Sequence, residues 1–162
     1  MRKNMPRRIL FVCWGNICRS PMAEAVFREL ARRSGRESGF EVASAGVSRE
    51  EEGNPIYPPV RRLLSKHGIP FSSHAARRMD RSDYDAFDLL VAMDNLSLRR
   101  MREICMGDPL DKCRLLMDYT DRPGEVADPW YTGDFEAAWR DVLDGCGGLL
   151  TAELNHLAES EP

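Results

Sequence analysis

Four short apolar runs punctuate the chain: ILFVC (9–13), FEVASAG (40–46), DLLVAMD (88–94) and CRLLMDY (113–119). Between them apolar residues recur at helical spacing, as at Met22, Val26 and Leu30, and again at Val60, Leu63 and Leu64. Strands alternating with helices predict βαβ units and a parallel sheet. The first and third runs are apolar at consecutive positions, the pattern of strands covered by helices on both faces, so they are expected at the centre of the sheet. After residue 119 a loop, TDRPGEVADPWYTG, leads into a stretch where Phe135, Trp139, Val142, Leu143, Leu150, Leu154 and Leu157 predict a helix. Gly145, Gly147 and Gly148 interrupt that stretch and predict a kink or two shorter helices. With no repeat, linker or low-complexity tract, and only a polar patch, SREEEGNP, around 48–55, the expectation is one α/β domain over 1–162 with flexible ends at 1–6 and 159–162.

Chemistry concentrates where the first strand meets the first helix, in VCWGNICRSP (12–21). Ligands of open parallel sheets bind beyond the carboxyl ends of the strands, and Cys13 falls at such an end. Serine is a good N-cap and proline suits the first helical position, so the helix is expected to begin at Ser20 or Pro21. The residues between then form a tight loop whose N–H groups and helix dipole converge on one point, a cradle for a tetrahedral oxyanion. Gly15 and Asn16 tolerate the left-handed backbone such a loop needs, and Arg19 adds a planar fork for two phosphate oxygens. The groups that attract phosphate also favour thiolate over thiol, which makes Cys13 a candidate nucleophile for in-line attack on phosphorus. Ser20 is placed to donate its hydroxyl to that sulfur and improve it as a leaving group. Position supports the choice, since Cys18, Cys105, Cys113 and Cys146 have Glu24, Asp111, Tyr119 and Ala152 six residues on, and Cys13 alone has an arginine there.

Composition excludes several classes. Lys+Arg 23 against Asp+Glu 26 leaves a formal charge of -3, which advertises neither nucleic acid nor an anionic membrane as a partner. The basic start, MRKNMPRRILFVC, is followed by too short an apolar run for a signal peptide, and no segment is long enough to span a bilayer. Five cysteines without paired spacing suit a reducing cytoplasm better than a disulfide framework, and no Cys/His cluster has zinc-ligand spacing. The sequence sets no oligomeric state.

VCWGNICRSP resembles the phosphate-binding loop of the low-molecular-weight protein tyrosine phosphatases. The resemblance continues, in the family's order, through SAG (44–46), HAAR (74–77), AMD (92–94) and DPWY (128–131). It implies a four-stranded parallel twisted sheet flanked by helices, no metal or other cofactor, and hydrolysis of protein phosphotyrosine through a phosphocysteine. It further implies Cys13 as nucleophile, Arg19 as phosphate clamp, Asp128 as general acid, and a loop-supporting network of Asn16, Ser20, Ser44 and His74. Trp14, Gly15, Asn16, Ile17, Cys18 and Ser20, with Trp130 and Tyr131, would meet the substrate.

Spacing alone leaves Asp121, Glu125 and Asp128 open as the acid that protonates the departing oxygen. Asp128 is favoured because Pro129 stiffens its backbone and because Trp130 and Tyr131 set aromatic surface beside it, suited to an aryl ester. After the first step it would act as base for water. Trp14 is expected on the pocket wall. Ile17 favours phosphotyrosine, since the branch that looks like protein-arginine phosphatases carries threonine at the matching place. Cys18 is a candidate for a reversible disulfide with Cys13. His74 is expected to be structural, His67 and His156 to lie on the surface. The sequence departs from the family in having Trp130 before Tyr131 where two tyrosines are usual, so regulation by phosphorylation of the first is absent, and in having Ser97 where asparagine is usual. Two rivals stay open: a thiol-dependent arsenate reductase, for which Cys105 and Cys113 are candidate resolving cysteines, and a non-enzymatic phosphate- or phosphopeptide-binding module.

Overall fold

A computed structural model describes residues 5–160, so of the ends expected to be flexible, 1–4 and 161–162 lie outside the described residues. The four strands are β1 (Arg7–Cys13), β2 (Phe40–Gly46), β3 (Leu89–Ala92) and β4 (Cys113–Leu115), all parallel, in the order β2-β1-β3-β4. The helices are α1 (Arg19–Arg33), α2 (Pro58–Lys66), α3 (Arg81–Ala86), α4 (Asn95–Ile104), α5 (Pro129–Thr132) and α6 (Phe135–Ser160). β1 and β3 are the central strands, as their unbroken apolar runs require.

Alternation along the central strands divides the interior into two layers. Ile9, Phe11 and Cys13 of β1, with Leu89 and Val91 of β3, face the side covered by α1, α2 and α6. Leu10, Val12, Leu90 and Ala92 face the side covered by α3 and α4, where Tyr84, Leu98 and Met101 close the layer. Strand order reverses direction between β1 and β3, and at that point the carboxyl ends of two central strands open a crevice.

Three expectations need correction. β3 and β4 are shorter than the runs 88–94 and 113–119, because a 3₁₀ turn over Leu116–Tyr119 ends β4 and Asp94 already caps α4. The C-terminal stretch is one helix, α6, with no break at its glycines. Those glycines serve packing: a Cβ at Gly145 would meet the Leu116 side chain, and one at Gly148 would run into the carbonyl oxygen of Tyr119. They let α6 lie directly against the 3₁₀ turn. His67 is only partly at the surface; its ring stacks on Trp139 at 4.0 Å between centroids, half-buried between α2 and α6.

A Cβ at Gly147 would meet nothing within 4 Å, so the two neighbouring glycines should respond oppositely to the same change. Gly148→Ala is expected to cost about 1–3 kcal/mol by overpacking, and Gly147→Ala to add up to about 1 kcal/mol by helix propensity. Urea unfolding of the two variants checks this, and equal effects would remove the packing role.

Candidate active site

The loop between β1 and α1 is shaped by one residue in a backbone conformation that disfavours most side chains. Asn16 has φ 61° and is fully buried. Its side-chain amide is paired at both ends: Oδ1 accepts from the Arg77 amide at 3.0 Å, and Nδ2 donates to Ser20 Oγ at 2.9 Å and to Ser44 Oγ at 3.0 Å. His74 donates from Nε2 to the Asn16 carbonyl at 2.7 Å, which fixes its tautomer. Ser44 donates its own proton to Glu24 Oε1 at 2.7 Å, and Glu24 is paired with Arg28. Beneath the loop, a Cβ at Gly46 would sit 2.7 Å from the Trp14 carbonyl oxygen, so only glycine lets β2 pass this close.

This network aims two donors at one sulfur. The Asn16 amide donates to Cys13 Sγ at 3.3 Å, and Ser20 Oγ lies 2.9 Å from it. Ser20 Oγ also accepts from Asn16 Nδ2, and its hydroxyl has two acceptors in reach, Cys13 Sγ and the Ala45 carbonyl oxygen at 3.4 Å, of which the sulfur is the nearer. Both groups lie within hydrogen-bonding distance of the sulfur. Ser20 is therefore not the helix cap. α1 begins at Arg19, one residue before the expected start, and its N-cap is Cys18 with no side-chain cap bond.

Among the described residues Arg19 is the one guanidinium on the pocket wall, and it is itself buried. Its Nη1 donates to the Val126 carbonyl at 3.2 Å, while Nη2 lies 2.8 Å from Asp94 Oδ2 and 3.3 Å from Asp128 Oδ2. Burial works against its charge, but Cys13, Asp94 and Asp128 outweigh burial and raise its pKa above the usual arginine value. Asp94 feels the reverse balance: burial would raise its pKa, but Arg19 and the α4 amide of Ser97 hold it below the ordinary carboxylate value. Cys18 is set apart from Cys13, since burial, with Cys13 beside it, pushes its thiol up to about 12 against the pull of Arg19.

Asp128 caps α5 by accepting from the Trp130 amide at 3.1 Å, so the loop expected before the last helix contains one short turn of helix. Trp130 and Tyr131 are 57% and 86% exposed and stand at the rim. Tyr57 braces this segment: its ring centroid lies 5.2 Å from that of Trp130, and its amide donates to the Ile17 carbonyl at 2.9 Å. The pocket so enclosed has a volume of about 430 Å³.

Cys13, Trp14, Gly15, Ile17, Cys18, Arg19, Asp128, Trp130 and Tyr131 all line that pocket, and Asn16, Ser20, Ser44 and His74 lie behind its floor. Asp121 does not line it, and Glu125 instead accepts from the Asn95 amide at 2.7 Å. Sequence reasoning missed Glu50, Glu51 and Leu96 on the wall, Asp94 beside Arg19, and Glu24 behind Ser44. Asp94 carries a usable signal, an acid at the carboxyl end of a central strand opening a helix. Glu24 carries none, because its partner lies 20 positions away in another element. Cys105 and Cys113 sit in the opposite layer, buried with Tyr84 and Met101, and neither lines the pocket. Among the described residues no group of three or more His, Cys, Asp or Glu side chains has the geometry to hold a metal.

Asn16→Ala is expected to lower unfolding free energy in urea by about 2–3 kcal/mol, since it leaves buried partners unpaired. It should also slow alkylation of Cys13 by iodoacetate near neutral pH, where Cys18 stays protonated and unreactive. A variant as stable and as reactive as the parent would remove the network from its supporting role.

Residues 8–160 match the family model described as low molecular weight phosphotyrosine protein phosphatase. The chain is 38% identical over 146 residues to the low molecular weight protein-tyrosine-phosphatase YfkJ of Bacillus subtilis, covering 89% of this chain and 94% of the relative. Among solved structures, YfkJ superposes with a TM-score of 0.90 at 37% identity over 93% of this chain and 96% of the other. A Drosophila arginine phosphatase superposes with a TM-score of 0.81 at 29% identity, covering 90% of this chain and 96% of that one.

Proposed function

The chain belongs to the low molecular weight phosphotyrosine protein phosphatase family and is an enzyme of that class, and we propose that it hydrolyses protein phosphotyrosine through a phosphocysteine formed on Cys13. The observation that carries the assignment of roles is the convergence of Cys13, Arg19 and Asp128 on one pocket, with the Asn16 amide donating to the Cys13 sulfur and the Ser20 hydroxyl 2.9 Å from it. In the first step the Cys13 thiolate attacks phosphorus in line, the bond from phosphorus to the phenolic oxygen breaks, and Asp128 gives its proton to that oxygen. Arg19 holds two equatorial oxygens of the phosphoryl group while the loop amides and the N-terminus of α1 take the developing charge. In the second step Asp128 takes a proton from water, the water oxygen bonds to phosphorus, and the sulfur leaves as a thiolate. The Ser20 hydroxyl stabilises that leaving thiolate.

Asp94 is the positioning partner in this scheme. It keeps one guanidinium nitrogen fixed at 2.8 Å, so the fork meets its ligand already oriented. The aromatic and apolar walls, Trp14, Ile17, Trp130 and Tyr131, suit a phenyl group entering over the sulfur. The Ile17 side chain offers no polar atom to a guanidinium, which supports phosphotyrosine over phosphoarginine as the substrate. The arsenate reductase reading has no support from the position of Cys105 and Cys113, which are buried under the other face of the sheet. A pure binding module has no use for an acid placed beside the clamp.

The same reading covers residues 1–162 as one domain working in the cytoplasm. Among the described residues no helix is long and apolar enough to cross a membrane, and all five cysteines are free thiols, which suits a reducing compartment.

Rates on matched phosphotyrosine, phosphoserine and phosphoarginine peptides test the substrate assignment, with phosphotyrosine expected to be turned over fastest. Cys13→Ser should abolish turnover and retain binding of inorganic phosphate, whereas Asp128→Asn should lower kcat on aryl esters by about 10²–10⁴-fold. Undiminished turnover by Cys13→Ser would sink the mechanism.

A further inference from the structure

Resting on the phosphotyrosine reading above, we propose that the mouth of the pocket is electrically polarised and selects a phosphotyrosine with a basic residue on one side and an acidic residue on the other. Strand order carries the first part of the argument. β1 lies between β2 and β3, so the segment that follows β2 and the helix that follows β3 flank the Cys13 loop from opposite sides.

On the β2 side, Glu50 and Glu51 line the pocket next to Trp14 and Gly15. Glu50 accepts from Trp14 Nε1 at 3.2 Å and Glu51 from Asn54 Nδ2 at 2.6 Å. Both donors are neutral groups, and among the described residues neither carboxylate lies within pairing distance of a cation. On the β3 side the wall continues over Leu96, which is 50% exposed, into a groove along α4. Asn95, Leu98, Arg99, Arg102 and Met106 form that groove. Arg99 and Arg102 stand three residues apart on one exposed helix face. Among the described residues neither meets an acid within pairing distance, and Glu103, the acid of the groove, is held by Arg100 at 3.1 Å.

The occupant follows from charge and reach. Arg99 is one helical turn beyond Asn95, about 6 Å of helix rise, and an extended peptide advances about 3.3 Å per residue. An acidic side chain two to four positions from the phosphotyrosine therefore reaches the arginines while its apolar neighbour rests on Leu96 and Met106. The residues on the other flank pass Glu50 and Glu51, where a lysine or arginine is attracted and an aspartate or glutamate repelled. A flank of either single sign meets a repulsive wall on one side.

Three phosphotyrosine peptides of identical length test this: one basic before and acidic after the phosphotyrosine, one with the order reversed, and one neutral. One charged order is expected to exceed the neutral peptide in kcat/KM by about fivefold at low ionic strength and the reversed order to fall below it, with both differences shrinking at about 0.5 M salt. The double change Arg99→Glu/Arg102→Glu should erase the preference for the acidic arm with kcat/KM on p-nitrophenyl phosphate unchanged. Glu50→Gln/Glu51→Gln should erase the preference for the basic arm, each rate being referred to that variant's own rate on p-nitrophenyl phosphate. Equal rates on all three peptides alongside full hydrolysis of p-nitrophenyl phosphate would overturn the polarised mouth and spare the phosphatase reading, as would a preference that survives both double variants. Failure to hydrolyse any of these esters would overturn both.

Discussion

The site rests on Asn16, a buried residue held in a left-handed conformation by partners from three separate parts of the chain. Without those bonds the left-handed backbone and the buried amide would each cost free energy. With them, the loop has one arrangement. Ser20 and Ser44 take its two amide protons, Arg77 and His74 supply donors to its two oxygens, and β2 passes beneath at a distance that only Gly46 permits. Through Ser20 and the Asn16 amide, this network ends at the Cys13 sulfur. The loop is thus rigid because it is saturated with hydrogen bonds, and the sulfur inherits that rigidity.

Electrostatics then divides labour among the ionisable groups of the pocket. Arg19 is buried yet keeps its charge, because Cys13, Asp94 and Asp128 surround it. Asp94 is committed to Arg19 and to the cap of α4, so it is a fixed support. Asp128 is less buried, contacts Arg19 at the longer distance and sits at the rim, which suits the proton-exchanging role proposed for it. Cys18, one residue from the clamp, is kept a thiol by burial. Residues of the same type in one pocket therefore do different work, separated by exposure and by which neighbours they face.

Much of this was legible in the chain. Unbroken apolar runs identified β1 and β3 as central strands, and the strand–loop–helix junction located the cradle, because both signals are local in sequence. The misjudged details come from competing partners that local propensity does not reveal. Ser20 has the right chemistry for a helix cap, yet its hydroxyl is claimed by Cys13 and Asn16, and α1 starts at Arg19. Gly145 and Gly148 have the composition of a break, yet they are what lets α6 come against residues 116–119. His67 looks polar and exposed until Trp139 is brought over it by α6. Glu24 and Asp94 gain their roles only through residues in other elements, Ser44 and Arg19; Asp94's place at a strand end hints at a site, but nothing in either segment names the partner.

Tyr57 has a consequence for how the two halves of the chemistry stay aligned. Its amide holds the loop at Ile17 and its ring supports Trp130, two residues from Asp128. Thiol and carboxyl thus share a common reference point outside both of their own segments. In the proposed reaction, a displacement of the connection between β2 and α2 would reach the loop of the nucleophile and the turn of the acid together, so one residue would set the gap across which the proton and the phosphoryl group are handed over.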